Sequence, residues 1–173
     1  YKSCLTFNSF QPDVEHNMDF GEANALIERI EAVSIMTVEE RSYLFAVARN
    51  NPPIMEVGCA AGGTTILLAL AAGHCHALDN GAGTDHCLYF MNNLAIAGVK
   101  NLVTLHYDNA WNVSRLYPDQ YFGLVLVDAE HTGNHPYQDL TAWAPKVKPG
   151  GYLFADDLSD GSPDVTIGVI RFL

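Results

Sequence analysis

The stretch Ile54 to Thr65, Ile-Met-Glu-Val-Gly-Cys-Ala-Ala-Gly-Gly-Thr-Thr, constrains this chain more than any other. Residues suited to a buried strand, Ile54 to Val57, run directly into glycines at 58, 62 and 63, and a helical segment follows from Thr64. A strand that ends in a glycine turn and opens a helix leaves backbone N–H groups free at the helix start. Glycine also lets a ligand come close, because it has no Cβ. A second apolar run, His74 to Leu78, ends at Asp79. In a nucleotide-binding βαβ unit, an acid about 20 residues beyond the glycines accepts hydrogen bonds from ribose hydroxyls.

The spacing is Glu56-x-Gly58-x-x-x-Gly62-x-Thr64, not the G-x-G-x-x-G of dinucleotide sites. Glu56, at the lip of the strand, suits a ligand with a positive end better than a pyrophosphate. This motif resembles the first motif of class I S-adenosylmethionine-dependent methyltransferases, whose ligand carries an ammonium and a sulfonium. A structural glycine turn in another α/β domain is the plain alternative.

Composition narrows the partners. The chain has 173 residues, enough for one domain with a sizeable core, and no apolar run approaches the ~20 residues of a membrane helix. Twenty acids against 9 Lys and Arg give a net charge of -11 with no basic stripe, which argues against nucleic acid. The cysteines at 4, 59, 75 and 87 form no C-x-x-C pair. They read as reduced thiols of a cytoplasmic protein, and nothing at Tyr1-Lys2-Ser3-Cys4 has secretory character.

Residues 1–20, which include Pro12, read as an irregular arm able to cover a site, ahead of a single domain over 21–173. Leu26, Ile27, Ile30 and Val33 predict a helix over about 22–33, and Thr37-Val-Glu-Glu40 is a capping box opening the next. That helix ends before Asn50-Asn51-Pro52-Pro53. Strands are expected at 54–57, 74–79, 102–106, 121–127 and 152–155, with Lys148-Pro-Gly-Gly151 as a turn before the last. Thr84 caps a helix carrying Leu88, Met91 and Leu94, a short turn lies near Trp111, and another helix runs over about 136–147. Asp164 to Leu173 reads as either a helix or an edge strand.

Strands alternating with helices predict an α/β, doubly wound, mostly parallel sheet with helices on both faces, a Rossmann-like architecture. Ligands in such sheets bind beyond the carboxyl ends of the strands. Gly58, Asp79, Asp108, Asp128 and Asp156 each stand just past a strand end, so all five face one rim. Helix capping is the ordinary reason for an acid there. It explains Asp128 poorly, since helical pattern resumes only near Pro136, and it explains the doublet Asp156-Asp157 poorly. With Asp128 the doublet offers hard oxygen ligands suited to Mg²⁺ or Ca²⁺.

Val127-Asp-Ala-Glu-His131, Tyr137-Gln-Asp-Leu-Thr-Ala-Trp143, Val147-Lys-Pro-Gly-Gly151 and Phe154-Ala-Asp-Asp157 resemble the second half of one methyltransferase group. It is the divalent-metal-dependent small-molecule O-methyltransferases, catechol-type and sugar- or macrolide-tailoring. The resemblance covers about residues 22–173. It implies S-adenosylmethionine as cofactor and a small-molecule hydroxyl as acceptor. It implies that Asp128, Asp156 and Asp157 hold the metal, most simply Mg²⁺. His131 would be the general base, with Glu130 as the competing base. Glu56, Gly58 and Gly62 would surround the methionine end, Asp79 the ribose, and Asp108 and Asn109 the adenine edge, with Asp128 also counted in the cofactor site.

The resemblance also implies two further strands, an antiparallel edge for which this chain leaves no room. The chain then reads as a fragment, or as a short form whose exposed sheet edge pairs in a homo-oligomer. Zinc on Asp128, His131 and His135 is a weaker alternative, and His74-x-His76 reads as structural. A non-catalytic binding or scaffold domain and a nicotinamide-dependent oxidoreductase stay open as other classes.

Overall fold

A computed structural model describes residues 4–5, 18–30, 32, 36–81, 86–158 and 161–173. In chain order the elements are β1 (Cys4–Leu5), α1 (Phe20–Arg29), α2 (Val38–Asn50), β2 (Ile54–Val57) and α3 (Gly63–Ala72). There follow β3 (Cys75–Asp79), α4 (His86–Ile96), β4 (Val103–Tyr107), α5 (Ala110–Ser114) and β5 (Phe122–Val127). The last three are α6 (His135–Trp143), β6 (Val147–Ala155) and α7 (Pro163–Phe172).

The sheet order is β1-β4-β3-β2-β5-β6, with every pairing parallel except the two-residue β1 against β4. The doubly wound architecture read from the sequence is therefore the one adopted. β2 and β5 are buried along their whole length, as unbroken apolar runs in the middle of a covered sheet must be. One apolar cluster lies on the α1, α2 and α3 face, around Ile27, Leu44, Leu67 and Phe90. A second lies on the other face, where Val113, Leu140 and Trp143 cover Met55, Phe122 and Val125.

Several boundaries differ from the sequence reading. The first helix covers Phe20–Arg29 and so starts inside the expected arm, which also contributes β1. Its cap is Asp19, whose carboxylate accepts from Glu22 N at 2.9 Å while Glu22 accepts from Asp19 N, a box like the one Thr37 and Glu40 form. The expected Thr84 cap, like most of the arm, lies outside the described residues. α6 ends at Trp143, and the chain turns through a 3₁₀ segment at Ala144–Lys146. β6 begins at Val147 rather than Tyr152, because Lys148 to Gly151 form an irregularity inside the strand, where the pairing to β5 slips between Phe122 and Leu124. The final segment is helical.

Register fixes where the loops emerge. Val57 pairs with both Leu78 and Val127, and Val127 pairs with Ala155. The next backbone groups keep the ladder going: Gly58 N donates to Leu78 O (2.8 Å), Asp128 N to Val57 O (2.8 Å) and Asp156 N to Val127 O (3.0 Å). Gly58, Asp79, Asp128 and Asp156 thus stand in one row by backbone geometry alone.

Trp143 is fully buried where α6 meets β5, against Phe122 and Tyr117. Trp143→Ala is expected to cost ~3–5 kcal/mol in chemical denaturation, as large-to-small core changes do. A loss below ~1 kcal/mol would show that this layer does not hold α6 to the sheet.

Candidate active site

Gly58, Asp79 and Asp128 of this row form the floor of a cavity of about 430 Å³, which Asp156 does not line. Five carboxylates line it: Asp79, Asp108, Asp128, Glu130 and Asp139. With so many anions on one wall, the cavity suits a ligand carrying positive charge and disfavours a pyrophosphate.

Gly58 is held at φ +93°, where a side chain is strained. A Cβ there would sit 1.9 Å from the Asp128 carbonyl oxygen. The glycine is required because the β2 and β5 loops pass in contact, not because a ligand needs the space. Gly62 (φ +88°) caps α3 with its back to Phe90, 2.8 Å from a would-be Cβ, and does not line the cavity.

Glu56 does not line it either. It is 1% exposed, beneath the floor, and its carboxylate accepts the Thr65 hydroxyl. Burial, reinforced by Asp128 and Asp79, pushes it up to about 8 against the weaker opposing effect of Thr65.

Asp79 does line the cavity, and both its oxygens are engaged. Oδ2 accepts from Ala60 N (3.0 Å) in the glycine loop and Oδ1 from Gly81 N (2.7 Å) in the next. Asp108 accepts from Asn109 N (2.6 Å) and Asn112 Nδ2 (3.0 Å), and Asn109 caps α5 through Trp111 N (2.9 Å). Both therefore stand at the cavity edge on a loop braced from within.

At the other end Asp128, His131 and Asp157 converge. His131 Nε2 lies 3.4 Å from Asp128 Oδ1 and 3.2 Å from Asp157 Oδ2. The three offer ligand atoms all within 4.8 Å of one another. Asp157 reaches in from a left-handed backbone (φ +58°), a conformation aspartate tolerates better than most residues. Asp156, expected as a third carboxylate ligand, is not in that convergent set. It still acts on it by charge: burial first, then Asp156 and Asp157, push Asp128 up to about 6, with His131 opposing. Burial likewise raises Asp156.

Glu130 lies at the edge of this group, tied to Thr132 N (3.2 Å) and Thr132 Oγ1 (2.8 Å), and Thr132 holds its carboxyl below the usual range. The loop is fastened from behind by α7, where Gly133 N donates to Asp164 Oδ2 (2.7 Å) and Arg171 lies over the Tyr137 ring.

Two side chains of the cavity, Trp111 and Asp139, carry no site role in the sequence, and His135 enters it only as a zinc ligand beside Asp128 and His131. The Trp111 and His135 rings are nearly parallel, 6.0 Å apart. Asp139 is 4% exposed, and burial pushes it up to about 6, against His135 and the Trp111 indole. A signal existed. Pro136, Asp139, Leu140 and Trp143 share one helical face, all buried, and Asp139 is the acid on it.

With this geometry in view, the family model described as a methyltransferase domain matches residues 55–158, more than half of the chain. No curated protein matches closely enough to count as a relative. Among solved structures, the O-methyltransferase TomG from Streptomyces achromogenes, involved in tomaymycin synthesis and bound to S-adenosylmethionine, superposes with a TM-score of 0.66 at 21% identity. That match covers 88% of this chain and 74% of TomG. An O-methyltransferase from Bacillus cereus in complex with S-adenosylhomocysteine gives 0.65 at 18% identity, covering 92% and 80%. Precorrin 8W decarboxylase from Methanobacterium thermoautotrophicum gives 0.64 at 22% identity, covering 82% and 74%. At these identities the likeness speaks for the fold alone.

Glu56 generates a test of the buried floor. It stays uncharged in the fold up to about pH 8 but ionises near 4.5 when unfolded. Its contribution to stability is therefore complete below about pH 4.5 and lost as pH rises through about 8. Glu56→Gln should flatten the fall in melting temperature between roughly pH 5 and 9, each ~1 kcal/mol being worth roughly 2–4 °C in a chain of this size. Parallel melting curves for the two proteins across that range would remove Glu56 from the buried set.

Proposed function

The chain belongs to the methyltransferase-domain family, and on that premise we propose that it is an S-adenosylmethionine-dependent O-methyltransferase acting on a small-molecule hydroxyl. The observation that supports this reading is the cavity itself, where five carboxylates from strand ends, loop and helix line a space suited to a cationic nucleoside. The same wall argues against a nicotinamide dinucleotide, whose pyrophosphate needs the helix N-terminus at Gly62 and Gly63, residues that do not line it.

S-adenosylmethionine, when bound, supplies an electrophilic methyl on sulfur. Asp79 is assigned to the ribose hydroxyls, Asp108 and Asn109 to the adenine edge, and Gly58 and Asp128 to the floor under the methionine end. Glu56 acts from beneath, through burial and its bond to Thr65.

The acidic end fits a divalent cation by its chemistry. Crowding that raises Asp128 and Asp156 is what a cation would relieve, and Asp128 and Asp157 already share a focus. Asp128, Asp157 and, with a small adjustment, Asp156 are proposed to hold it, with Mg²⁺ the natural choice for carboxylates. The cation would supply Lewis acidity toward the acceptor hydroxyl. His131 is assigned as the base that takes the hydroxyl proton, its ring standing beside the cation-holding pair, with Nε2 3.4 Å from Asp128 Oδ1 and 3.2 Å from Asp157 Oδ2. Glu130 is the weaker base, because Thr132 occupies it and lowers its proton affinity.

A cytoplasmic setting goes with this reading: Cys59 and Cys75 are buried free thiols, and no helix among the described residues is long and apolar enough to cross a membrane. β6, outermost in the described sheet, is the proposed edge for self-association. Residues ahead of α1 are the proposed arm, and the rest one methyltransferase domain.

Calorimetry with S-adenosylmethionine, and a labelled-methyl screen over catechols and sugars, test the reading together. Asp79→Ala should weaken cofactor binding by ~1.5–3 kcal/mol. His131→Ala should lower turnover by roughly 10²–10⁴ with cofactor affinity nearly unchanged, and Glu130→Gln should be mild. A crippled Glu130→Gln beside an active His131→Ala would reverse the assignment of the base. Chelation should abolish turnover and Mg²⁺ restore it; full activity in chelator would exclude the cation.

A further inference from the structure

Away from the cavity, three of the chain's 7 histidines gather around one tyrosine. His74 and His76 alternate onto the same side of the sheet at β3. His106 lies beside them on β4, whose register sets Thr104 opposite His76 and His106 opposite Leu78. His76 Nδ1 lies 2.9 Å and His106 Nε2 lies 2.7 Å from the same Tyr117 hydroxyl oxygen. His74 stands edge-on to His76, ring centroids 4.7 Å apart, and is anchored to Thr104 Oγ1 at 3.0 Å. Tyr121, Phe122 and Trp143 surround the Tyr117 ring with apolar surface. None of His74, His76, His106 or Tyr117 lines the acidic cavity.

Two imidazole nitrogens aimed at one oxygen is a donor arrangement as well as a hydrogen-bond one. A phenol donates a single hydrogen, so the hydroxyl satisfies one imidazole lone pair, and the other imidazole must turn an N–H toward it. Neutral imidazole is also the form that ligates metals. Burial pushes all three histidines down, His76 to about 4 with help from His74 and His106, so protons compete little for these nitrogens at neutral pH.

We propose that His76, His106 and Tyr117 form a binding site for a borderline divalent metal ion of the Zn²⁺ or Cu²⁺ class, separate from the acidic rim. Donor atoms in a tetrahedral site with bonds near 2.0–2.1 Å stand about 3.3 Å apart. The present 2.9 and 2.7 Å must therefore open by roughly half an ångström, which side-chain torsions absorb. On binding, the Tyr117 hydroxyl releases its proton to solvent, its oxygen joins the two nitrogens, and water completes the shell. Two imidazoles and a phenolate favour Zn²⁺ or Cu²⁺ over Mg²⁺, which takes carboxylate and water oxygens. Asp128, His131 and Asp157, with two carboxylates and one imidazole, form a harder set that excess Mg²⁺ can occupy. The two sites are thus separable by competition with Mg²⁺ and by variants of their own ligands.

Titrating the full chain with Cu²⁺ in excess Mg²⁺, followed by calorimetry and electron paramagnetic resonance, tests this. The expected result is one Cu²⁺ per chain with hyperfine splitting from nitrogen and a phenolate charge-transfer band. His76→Gln and His106→Gln should each weaken binding roughly 10-fold or more, whereas Asp157→Asn should leave it unchanged. Tyr117→Phe should remove the charge-transfer band. Because Tyr117 packs into an apolar cluster, that variant counts only if its circular dichroism is native; the two histidines are only partly buried and carry the test otherwise. Tight binding that survives the double variant His76→Gln/His106→Gln overturns the proposal. So does binding lost in Asp157→Asn, or a spectrum without nitrogen splitting.

Discussion

The parallel register of four neighbouring strands, β3, β2, β5 and β6, is the constraint on which everything else depends. Val57, Leu78, Val127 and Ala155 end in one row, and backbone hydrogen bonds carry that row one residue further into Gly58, Asp128 and Asp156. The loops therefore leave the sheet side by side, and side chains far apart in sequence become wall-mates. Gly58 shows how tight the arrangement is, since a single added carbon would overlap the Asp128 carbonyl. Functional side chains can be exact here because ladders and apolar packing, not the loops themselves, set the backbone beneath them.

That alignment gathers negative charge, and the acids share a common strain. Glu56, Asp128, Asp139 and Asp156 are all raised with burial as the leading cause, and other acids add to the effect on each. A fold gains nothing in stability by collecting raised carboxylates. Their gathering about the strand ends, above and beneath the cavity floor, is intelligible when a cationic ligand completes the balance, the ordinary relation between strained groups and functional sites.

Much of this was legible in the chain, and the reasons for what was not are physical. The apolar runs of β2 and β5 and the Thr37 capping box follow from local chemistry, so they appear where the residues say. The rim followed from strand ends plus one topological rule. β6 was read short because Lys148 to Gly151 look like a turn, and only pairing with β5 shows them absorbed into the strand as an irregularity. The convergence of His131 with Asp157 rather than Asp156 depends on the left-handed backbone at 157, which a doublet of identical residues does not reveal. Asp139 was missed although its helical spacing placed it among buried neighbours. Glu56 reads as a rim residue in the sequence because a strand's lip and the layer beneath it look alike in one dimension, and only the fold shows it buried under the floor.

Asp79 joins two loops by accepting one amide from each, Ala60 on one side and Gly81 on the other. The same carboxylate faces the cavity, so a ligand that takes its oxygens does not meet an idle group. It either shares them, drawing both loops tighter, or displaces an amide and loosens the strap. Occupancy and loop order are thereby one equilibrium. The exchange of two backbone hydrogens with solvent, at Ala60 and Gly81, is a gauge of the state of the cavity that needs no chemistry to be observed.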